Sequence, residues 1–482
     1  MNQDKSPNDP KSSEKAVKKS SSDFVTPSVL LFMDHLLVSV GGWLYWLVIS
    51  KLTLASEIGL AVTVYSLVML LTTLTQLGLE YPLLKKSIVS GSKILGTSLV
   101  IELVIASASI PFVFIVINTV YDESIKDFTW ISIALLVIIS IEFVARFGLL
   151  GLSNARTVLI IDLIGLAIKL PTGFFLVYMS VGAMGILLAY LLEALFITLT
   201  SLFILKKTFG IQIGNSRHFK ETIKDALINT PAKWSKMVIV TLSIVLLAFM
   251  NINASDVGIF YVALMISIVV ASVASSMAYM VIPSSSTLRT DLSTSSLRIS
   301  LSLTAPLVVA LLVVPRSILS LIGPEYESAE TVLLVLAMAI IPSSITVNII
   351  SKLNNLGKSN MLVLTGLVQI VIFFVSFFFL VPQYETLGAA ISILIAYLSS
   401  AVFLVIFTDH GSFRYIVSAC LSVFAGFITG YSIGIITGHE QYVQQLLLLL
   451  CSIAVSIIVI LASKNMTVKE TRFIVNALLQ RK

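Results

Sequence analysis

The sequence predicts an all-α integral membrane protein with about fourteen transmembrane helices, laid out as two parallel six-helix repeats and two further C-terminal helices. Three observations predict it. The 482 residues are 57% hydrophobic and only 12% charged, and the apolar residues gather into runs of about 20, the length a helix needs to cross a hydrocarbon core of roughly 30 Å. The basic residues fall on alternate loops. The chain also repeats itself: ASEIGL at 55–60 returns as ASDVGI at 254–259, LSN at 152–154 as LNN at 353–355, and GAMGILLAY at 182–190 as GAAISILIAY at 388–397. Matches in one order at nearly one spacing mark a duplication. In a membrane chain a duplication suggests two homologous halves with a site between them.

The elements follow in order. Residues 1–27 are rich in Lys, Ser, Pro and Asp. They predict a disordered cytoplasmic tail, too polar for a signal peptide. Spanning runs are expected at about 28–50, 57–79, 94–120, 128–150, 157–179 and 182–205, which make the first repeat (28–205). The second repeat (233–408) is expected at about 233–252, 255–282, 296–322, 329–351, 359–380 and 387–408. The runs are long and do not alternate with period two, which excludes barrel strands. Each repeat has an even number of crossings, so both start on the same side and are related by an axis along the membrane normal. Between them, 206–232 carries Phe219, Ile223, Ala226 and Leu227 at helical spacing among Lys220, Lys224 and Asp225. This reads as a cytoplasmic amphipathic helix lying in the membrane interface, for anchoring or for docking a partner. The last two runs, 413–437 and 442–462, lie in a segment (409–462) outside the duplication. The first of them bears Gly426, Gly430, Gly434 and Gly438, a ridge for close packing on its neighbour, for a dimer contact or for a lipid tail. Residues 463–482 form a second cytoplasmic tail, with Phe473, Ile474, Ala477 and Leu478 at helical spacing.

Charge fixes the orientation. With the amino terminus inside, all but five of the 31 Lys and Arg fall in cytoplasmic segments; the exceptions are Lys51, Lys126, Arg146, Lys169 and Arg316. The positive-inside rule therefore places both termini in the cytoplasm of a cell (inner or plasma) membrane. The net charge of +6 is this bias and an attraction to anionic lipid, so no nucleic-acid partner is implied. Cys420 and Cys451 have no pairing or metal spacing, and the four histidines form no metal motif. No glycine-rich phosphate loop is present, which argues against direct ATP drive. No cofactor is implied. Outer loops of about 4 to 8 residues are too short for an extracytoplasmic catalytic domain, so the chain reads as a non-enzyme.

Ionisable side chains inside membrane helices are costly and mark function by default. Here they concentrate in the first half: Asp34, His35, Glu102, Glu142, Arg146, Asp162, Lys169 and Glu193. The second half offers little beyond Arg316, with Asn348 and Gln369 as neutral polar groups. Glu142 and Arg146 stand at i, i+4 and can pair on one helix face, either neutralising each other or leaving Arg146, oriented by Glu142, to meet an anionic head group. Lys169 and Arg316 either snorkel to the outer surface or join Arg146 as cations for a diphosphate at successive depths. Asp34, Asp162 and Glu193 are the candidates for a coupling proton or sodium ion, since an isolated carboxylate in low dielectric exchanges a proton readily.

Further stretches carry a resemblance: ASDVGIFYVA at 254–263, the helix-ending Pro283 with Ser284, Ser285 and Ser286 and Asp291 beyond, Ala305-Pro306, LIGPEYESAETVLLVLA at 321–337, LNNLGKS at 353–359 and LVPQYETLGAAISILIAYL at 380–398. In order and spacing they resemble the multidrug/oligosaccharidyl-lipid/polysaccharide (MOP) exporter superfamily, and most closely its polysaccharide-transporter branch, the O-antigen and repeat-unit flippases. The resemblance covers roughly residues 28–465 and is weaker in the first half. It implies a V-shaped two-lobed bundle that rocks between inward- and outward-open forms. It also implies a polyprenyl-diphosphate-linked glycan as cargo, often with ion coupling, and basic cavity residues for the diphosphate, a role carried onto Arg146, Lys169 and Arg316. Gly258, Tyr326, Gly357 and Gly388 match structural positions of that pattern. Membrane lipids and glycan-assembly proteins are the other partners it implies. Two rival readings stand beside it: an ion-coupled multidrug or metabolite exporter of the same superfamily, and a non-transporting scaffold of a glycan-assembly complex.

Overall fold

A computed structural model describes residue 30 and residues 33–119, 121, 123–152, 154–288, 293–356, 358–408, 412–437 and 442–463. The tail at 1–27, the amphipathic pattern at 473–478, Gly357, Gly438 and Asp291 lie outside the described residues. The described chain is helical throughout, with no strand among those residues.

The helices are α1 (Met33–Ile49), α2 (Ala55–Thr75), α3 (Glu80–Thr119), the single turn α4 (Glu123–Lys126), α5 (Thr129–Gly151), α6 (Ala155–Tyr178), α7 (Gly182–Thr208), α8 (Ser216–Phe249), α9 (Ala254–Leu288) and α10 (Ser293–Val313). They continue with α11 (Pro315–Ser320), a 3-10 turn at Pro324–Ala329, α12 (Glu330–Asn355), α13 (Ser359–Thr408), α14 (Phe413–Thr437) and α15 (Tyr442–Ala462). Eleven stretches are long and apolar enough to cross a membrane, and α1 and Ile239–Phe249 of α8 are shorter apolar helices. One of the eleven, Asn360–Thr408, runs for 49 residues and is broken at Glu385 (φ 48, ψ −123), which divides α13 into α13a (359–384) and α13b (386–408). The chain is a multi-pass membrane protein. Prolines sit inside α3, α6, α10, α12 and α13, a placement helices tolerate where neighbours and hydroxyl side chains satisfy the freed carbonyls.

Packing falls into two groups. In one, α3 lies on α5, α5 on α7, and α6 on α7. In the other, α12 lies on α9, α10 and α13, and α13 on α8. The seam between them is made by α2 on α9, α2 on α8 and α3 on α8, while α14 and α15 pair and lie against α10. The repeats noted in the sequence occupy matching places: ASEIGL and ASDVGI open α2 and α9, LSN and LNN stand where α5 and α12 end, and the GA-motifs lie at the starts of α7 and α13b.

At the seam the two copies of the first repeat meet each other. A Cβ built on Gly59 would overlap the carbonyl of Ala254, and one built on Gly258 would overlap the carbonyl of Ala55. The contact is reciprocal, as a two-fold relation between the halves requires. The glycine ridge of α14 is covered on two sides: Gly426 and Gly430 face Val309 and Val313 of α10 and Ser452 of α15.

Two expectations are corrected. The linker does not hold a separate in-plane helix: after a non-helical stretch at 209–215, α8 runs unbroken from Ser216 to Phe249, about 51 Å at 1.5 Å per residue. Part of its apolar face has a protein partner: Ala226 is buried with Leu79, Leu83 and Leu95 of α3 and its approach and Phe219 packs against them, while Ile223 and Leu227 stay exposed. The non-helical stretch is itself fastened to α3, with the Gln212 amide donating to the Ser92 carbonyl (3.0 Å) and the Gly214 amide to Thr97 Oγ1 (3.1 Å). Second, Pro283 does not end its helix, because α9 continues to Leu288.

Candidate functional site

The ionisable groups of the first half form two clusters. In the first, Arg146 of α5 reaches Asp34 of α1 (Nη2 to Oδ2, 2.8 Å) and Asp162 of α6 (2.5 Å) with the same terminal nitrogen. The contact to Asp34 is a hydrogen bond, whereas Asp162 approaches as an ion pair without hydrogen-bond alignment. Both carboxylates are buried. Asp34 Oδ1, Asp162 Oδ1 and Arg146 Nε have no hydrogen-bond partner among the described residues, so the cluster is charge-paired but not saturated.

In the second cluster, Lys169 of α6 pairs with Glu193 of α7 at 2.8 Å. The ammonium also lies over the rings of Tyr190 (4.7 Å to the centroid) and Tyr45 (5.5 Å), within the range of a cation–π attraction. Tyr65 of α2 meets Tyr190 at 4.2 Å with the rings tilted by 31°, and Trp46 of α1 meets Tyr261 of α9 edge-on at 4.8 Å. Two aromatic rings thus flank the ion pair and three more pack on them, four from the first half and one from the second. Gly173, one turn from Lys169, leaves room for the Tyr45 ring. Asp162 and Lys169 are seven residues apart on α6, so the clusters stand about 10 Å apart along it.

The structure corrects several expected pairings and placements. The Glu142–Arg146 pairing is not formed; Arg146 turns to α1 and α6, because two buried carboxylates converge on it from other helices. Glu142 remains within electrostatic reach of both clusters. Asp34, Asp162 and Glu193 are not isolated carboxylates, since each faces a cation. Lys169 does not snorkel: its side chain is 7% exposed. Arg316 is not brought to the other cations. It stands on α11 with a 70% exposed side chain, bonded to Glu327 of the 3-10 turn at 2.8 Å.

The remaining polar groups are elsewhere. Glu102 is fully buried and accepts from Thr75 Oγ1 at 3.0 Å. Asn348 of α12 bonds Ser296 and Ser300 of α10 (2.9 and 3.1 Å), and buried Gln369 has no partner for either amide atom among the described residues. No group of three or more metal-ligating side chains occurs among those residues. A cavity of about 560 Å³ lies away from both clusters. It sits at the end of the bundle where α1, α2, α6, α7 and the 3-10 turn approach one another, and is lined by Ser50, Lys51, Glu57, Ser180 and Glu325 among others. This is called the far end below, and the opposite one the linker end. Beside Asp34 and Asp162 only a narrow cleft remains, with no space for a water.

What the sequence did not mark was the aromatic ring set. Tyr45, Trp46, Tyr65, Tyr190 and Tyr261 sit in apolar helices, where an aromatic residue is an ordinary filler. A faint signal existed in Tyr190, which ends one copy of the GA-repeat and has Tyr397 as its counterpart.

No family model matches the sequence, and no curated protein does. Solved structures do match the fold. A lipid II flippase, MurJ, in an inward closed conformation superposes with a TM-score of 0.66 at 13% identity, over 94% of this chain and 100% of that one. An inward-facing MATE-family multidrug resistance transporter of the MOP superfamily gives 0.60 at 14% identity, over 82% and 99%. The MATE multidrug transporter DinF-BH gives 0.60 at 14% identity, over 86% and 99%. The chain therefore has the fold of these transporters.

Proposed function

We propose that this chain, built on the fold of the MOP transporters, is a flippase that carries a polyprenyl-diphosphate-linked oligosaccharide from the inner to the outer leaflet by alternating access. The observation that carries the reading is the guanidinium of Arg146, set among membrane helices, shared by two carboxylates and left with an unpartnered Nε. A planar fork of donors suits the paired oxygens of a diphosphate. Cargo binding would displace Asp34 or Asp162 from Arg146. The displaced carboxylate, without its counter-charge in low dielectric, would take up a proton, which links cargo movement to ion movement. Lys169 supplies a second cation about 10 Å along α6. The lipid tail stays in hydrocarbon and the cargo leaves chemically unchanged, so the protein is not an enzyme. With both termini cytoplasmic in the cell membrane, the linker end is the inner end. Fold extent supports the reading as well, because the flippase match takes in 94% of the chain where the two multidrug matches take in 82% and 86%.

One observation favours a second reading. Four carboxylates (Asp34, Glu142, Asp162 and Glu193) face two cations (Arg146 and Lys169), and an acid excess suits an organic cation rather than an anion. An ion-coupled multidrug exporter would use the same clusters in that way.

The test is the leaflet distribution of lipid-linked glycan in cells depleted of the protein, then complemented with wild type or Arg146→Ala. Accumulation on the cytoplasmic side, corrected by wild type and not by Arg146→Ala, is the expected result. An unchanged distribution, with new sensitivity to cationic compounds, would replace this reading with the second.

A further inference from the structure

We infer that Lys169 determines specificity at the second cluster: its ammonium sits, as a ligand tethered to α6, in an aromatic cage closed by a carboxylate, and so fills the place an organic ammonium ion would take. The inference deepens the proposed function and rests on it for what the cage keeps out of transport, whereas the cage itself is tested by binding alone.

Four observations converge on it. First, two walls meet at a corner. The rings of Tyr45 and Tyr190 are 5.4 Å apart and cross at 77°, and the Lys169 ammonium lies over both, 5.5 and 4.7 Å from their centroids. Aromatic faces set around a cation are how proteins recognise quaternary ammonium ligands. Second, a carboxylate closes the corner, with Glu193 meeting the ammonium at 2.8 Å. Third, the walls are held in place. The Tyr45 hydroxyl donates to the Ile186 carbonyl of α7 (3.3 Å), and Tyr65 backs Tyr190 at 4.2 Å. Trp46, edge-on to Tyr45 at 5.5 Å, is met from the second half by Tyr261. Fourth, α6 is hollowed on either side of the lysine. Gly165 and Gly173 stand about one turn before and after it. A Cβ at Gly173 would overlap the Tyr45 ring, and one at Gly165 would press on Ile197 and touch Glu193.

An ion pair that only joined α6 to α7 would need none of the rings. The cage is built to hold a cation, and the lysine satisfies it from within. Along α6 it stands between Asp162, a partner of Arg146, and the far end. Cargo moving from the linker end to the far end would thus meet Arg146 first and a filled cation site second. The acid excess of the two clusters would favour an organic cation; the tethered ammonium removes that option at the aromatic site.

The test is equilibrium dialysis of radiolabelled tetramethylammonium against the purified full chain in non-ionic micelles, with n-propylammonium and 1-propanol run in parallel. Lys169→Ala removes Cγ, Cδ, Cε and Nζ, the atoms of n-propylammonium, and leaves the walls. It should bind tetramethylammonium about tenfold tighter than wild type or more, the size of one desolvated cation–π contact. Adding Tyr190→Leu should abolish the gain, and neutral 1-propanol should not bind. If Lys169→Ala fails to accumulate, Lys169→Ala with Glu193→Gln strands no charge and keeps the walls; it should still bind tetramethylammonium more tightly than wild type. Three results would overturn the cage. One is no gain of tetramethylammonium binding. Another is a gain confined to n-propylammonium, which Glu193 alone can hold through N–H bonds and which marks a plain ion pair. The third is equal binding of 1-propanol, which marks an empty cavity. Binding needs no cargo, so a wild type that moves no lipid-linked glycan would sink the flippase reading and leave this result interpretable.

Discussion

Replacing Lys169 by Met tests the second cluster most directly. Met keeps an unbranched apolar stem and removes only the ammonium. The side chains of Lys169 and Glu193 are 7% and 16% exposed and their charged atoms are 2.8 Å apart, so water does little to screen the pair. Removing one partner leaves the Glu193 carboxylate buried without its counter-charge, and breaking such a pair costs about 3–5 kcal/mol. The two tyrosines that flank the ammonium lose a cation–π contact as well, which keeps the expected loss in the upper part of that range. Replacing both partners, Lys169→Met with Glu193→Gln, removes the stranded charge and should come back to within about 1 kcal/mol of the parent. The assay is reversible unfolding of the purified protein in mixed micelles, read as a double-mutant cycle with a coupling of about 2 kcal/mol or more. A single variant that costs less than about 1 kcal/mol, or a double variant as unstable as the sum of its parts, would refute the pairing.

Other outcomes follow from the same geometry. Arg146→Lys keeps the charge but replaces a fork with a point donor that cannot hold two carboxylates in the same way; transport should fall by about an order of magnitude or more, with normal protein levels in the membrane. Arg316→Ala should leave transport and thermal stability unchanged, since that pair is surface-exposed and screened; a transport defect would return Arg316 to the cargo path. Glu385→Gly should raise the unfolding free energy by about 1 kcal/mol, because φ 48 with ψ −123 is strained for any side chain and free for glycine; a lower melting temperature would count against the break between α13a and α13b.

Much of the fold could be read from the chain because it is written in local terms. An apolar run of membrane length becomes a helix whatever it packs against, and the duplicated motifs pointed to elements that occupy matching places. The site was only half legible. That Asp34, Arg146, Asp162, Lys169 and Glu193 mattered followed from the cost of burying charge, but who pairs with whom did not. The i, i+4 rule offered Glu142 to Arg146, while the partners found are 112 residues away on α1 and one helix on in α6. Tertiary contact outweighs a helix-surface preference of a few tenths of a kcal/mol. The helix that carries Arg316 was not legible for a related reason. An apolar run was expected to carry it at 296–322, whereas the chain leaves the spanning helix at Val314 and begins a new short helix at Pro315. The meeting of Gly59 with Gly258 could not be read either, because a repeat announces common ancestry and says nothing of mutual contact.

The fastening of 209–215 to α3 changes what kind of joint connects the two halves. Seven residues could reach about 23–25 Å if free, enough for a slack leash. Held through the amides of Gln212 and Gly214, they have almost no slack, and the first turns of α8 are glued to the same surface through Phe219 and Ala226. The second half is therefore riveted to the first at the linker end by the foot of its own first helix. If one half rotates rigidly against the other, as alternating access requires, the rotation would be absorbed as flexure along α8 rather than in the connection, which would make that helix a leaf spring between the halves and its stiffness a determinant of how far they swing.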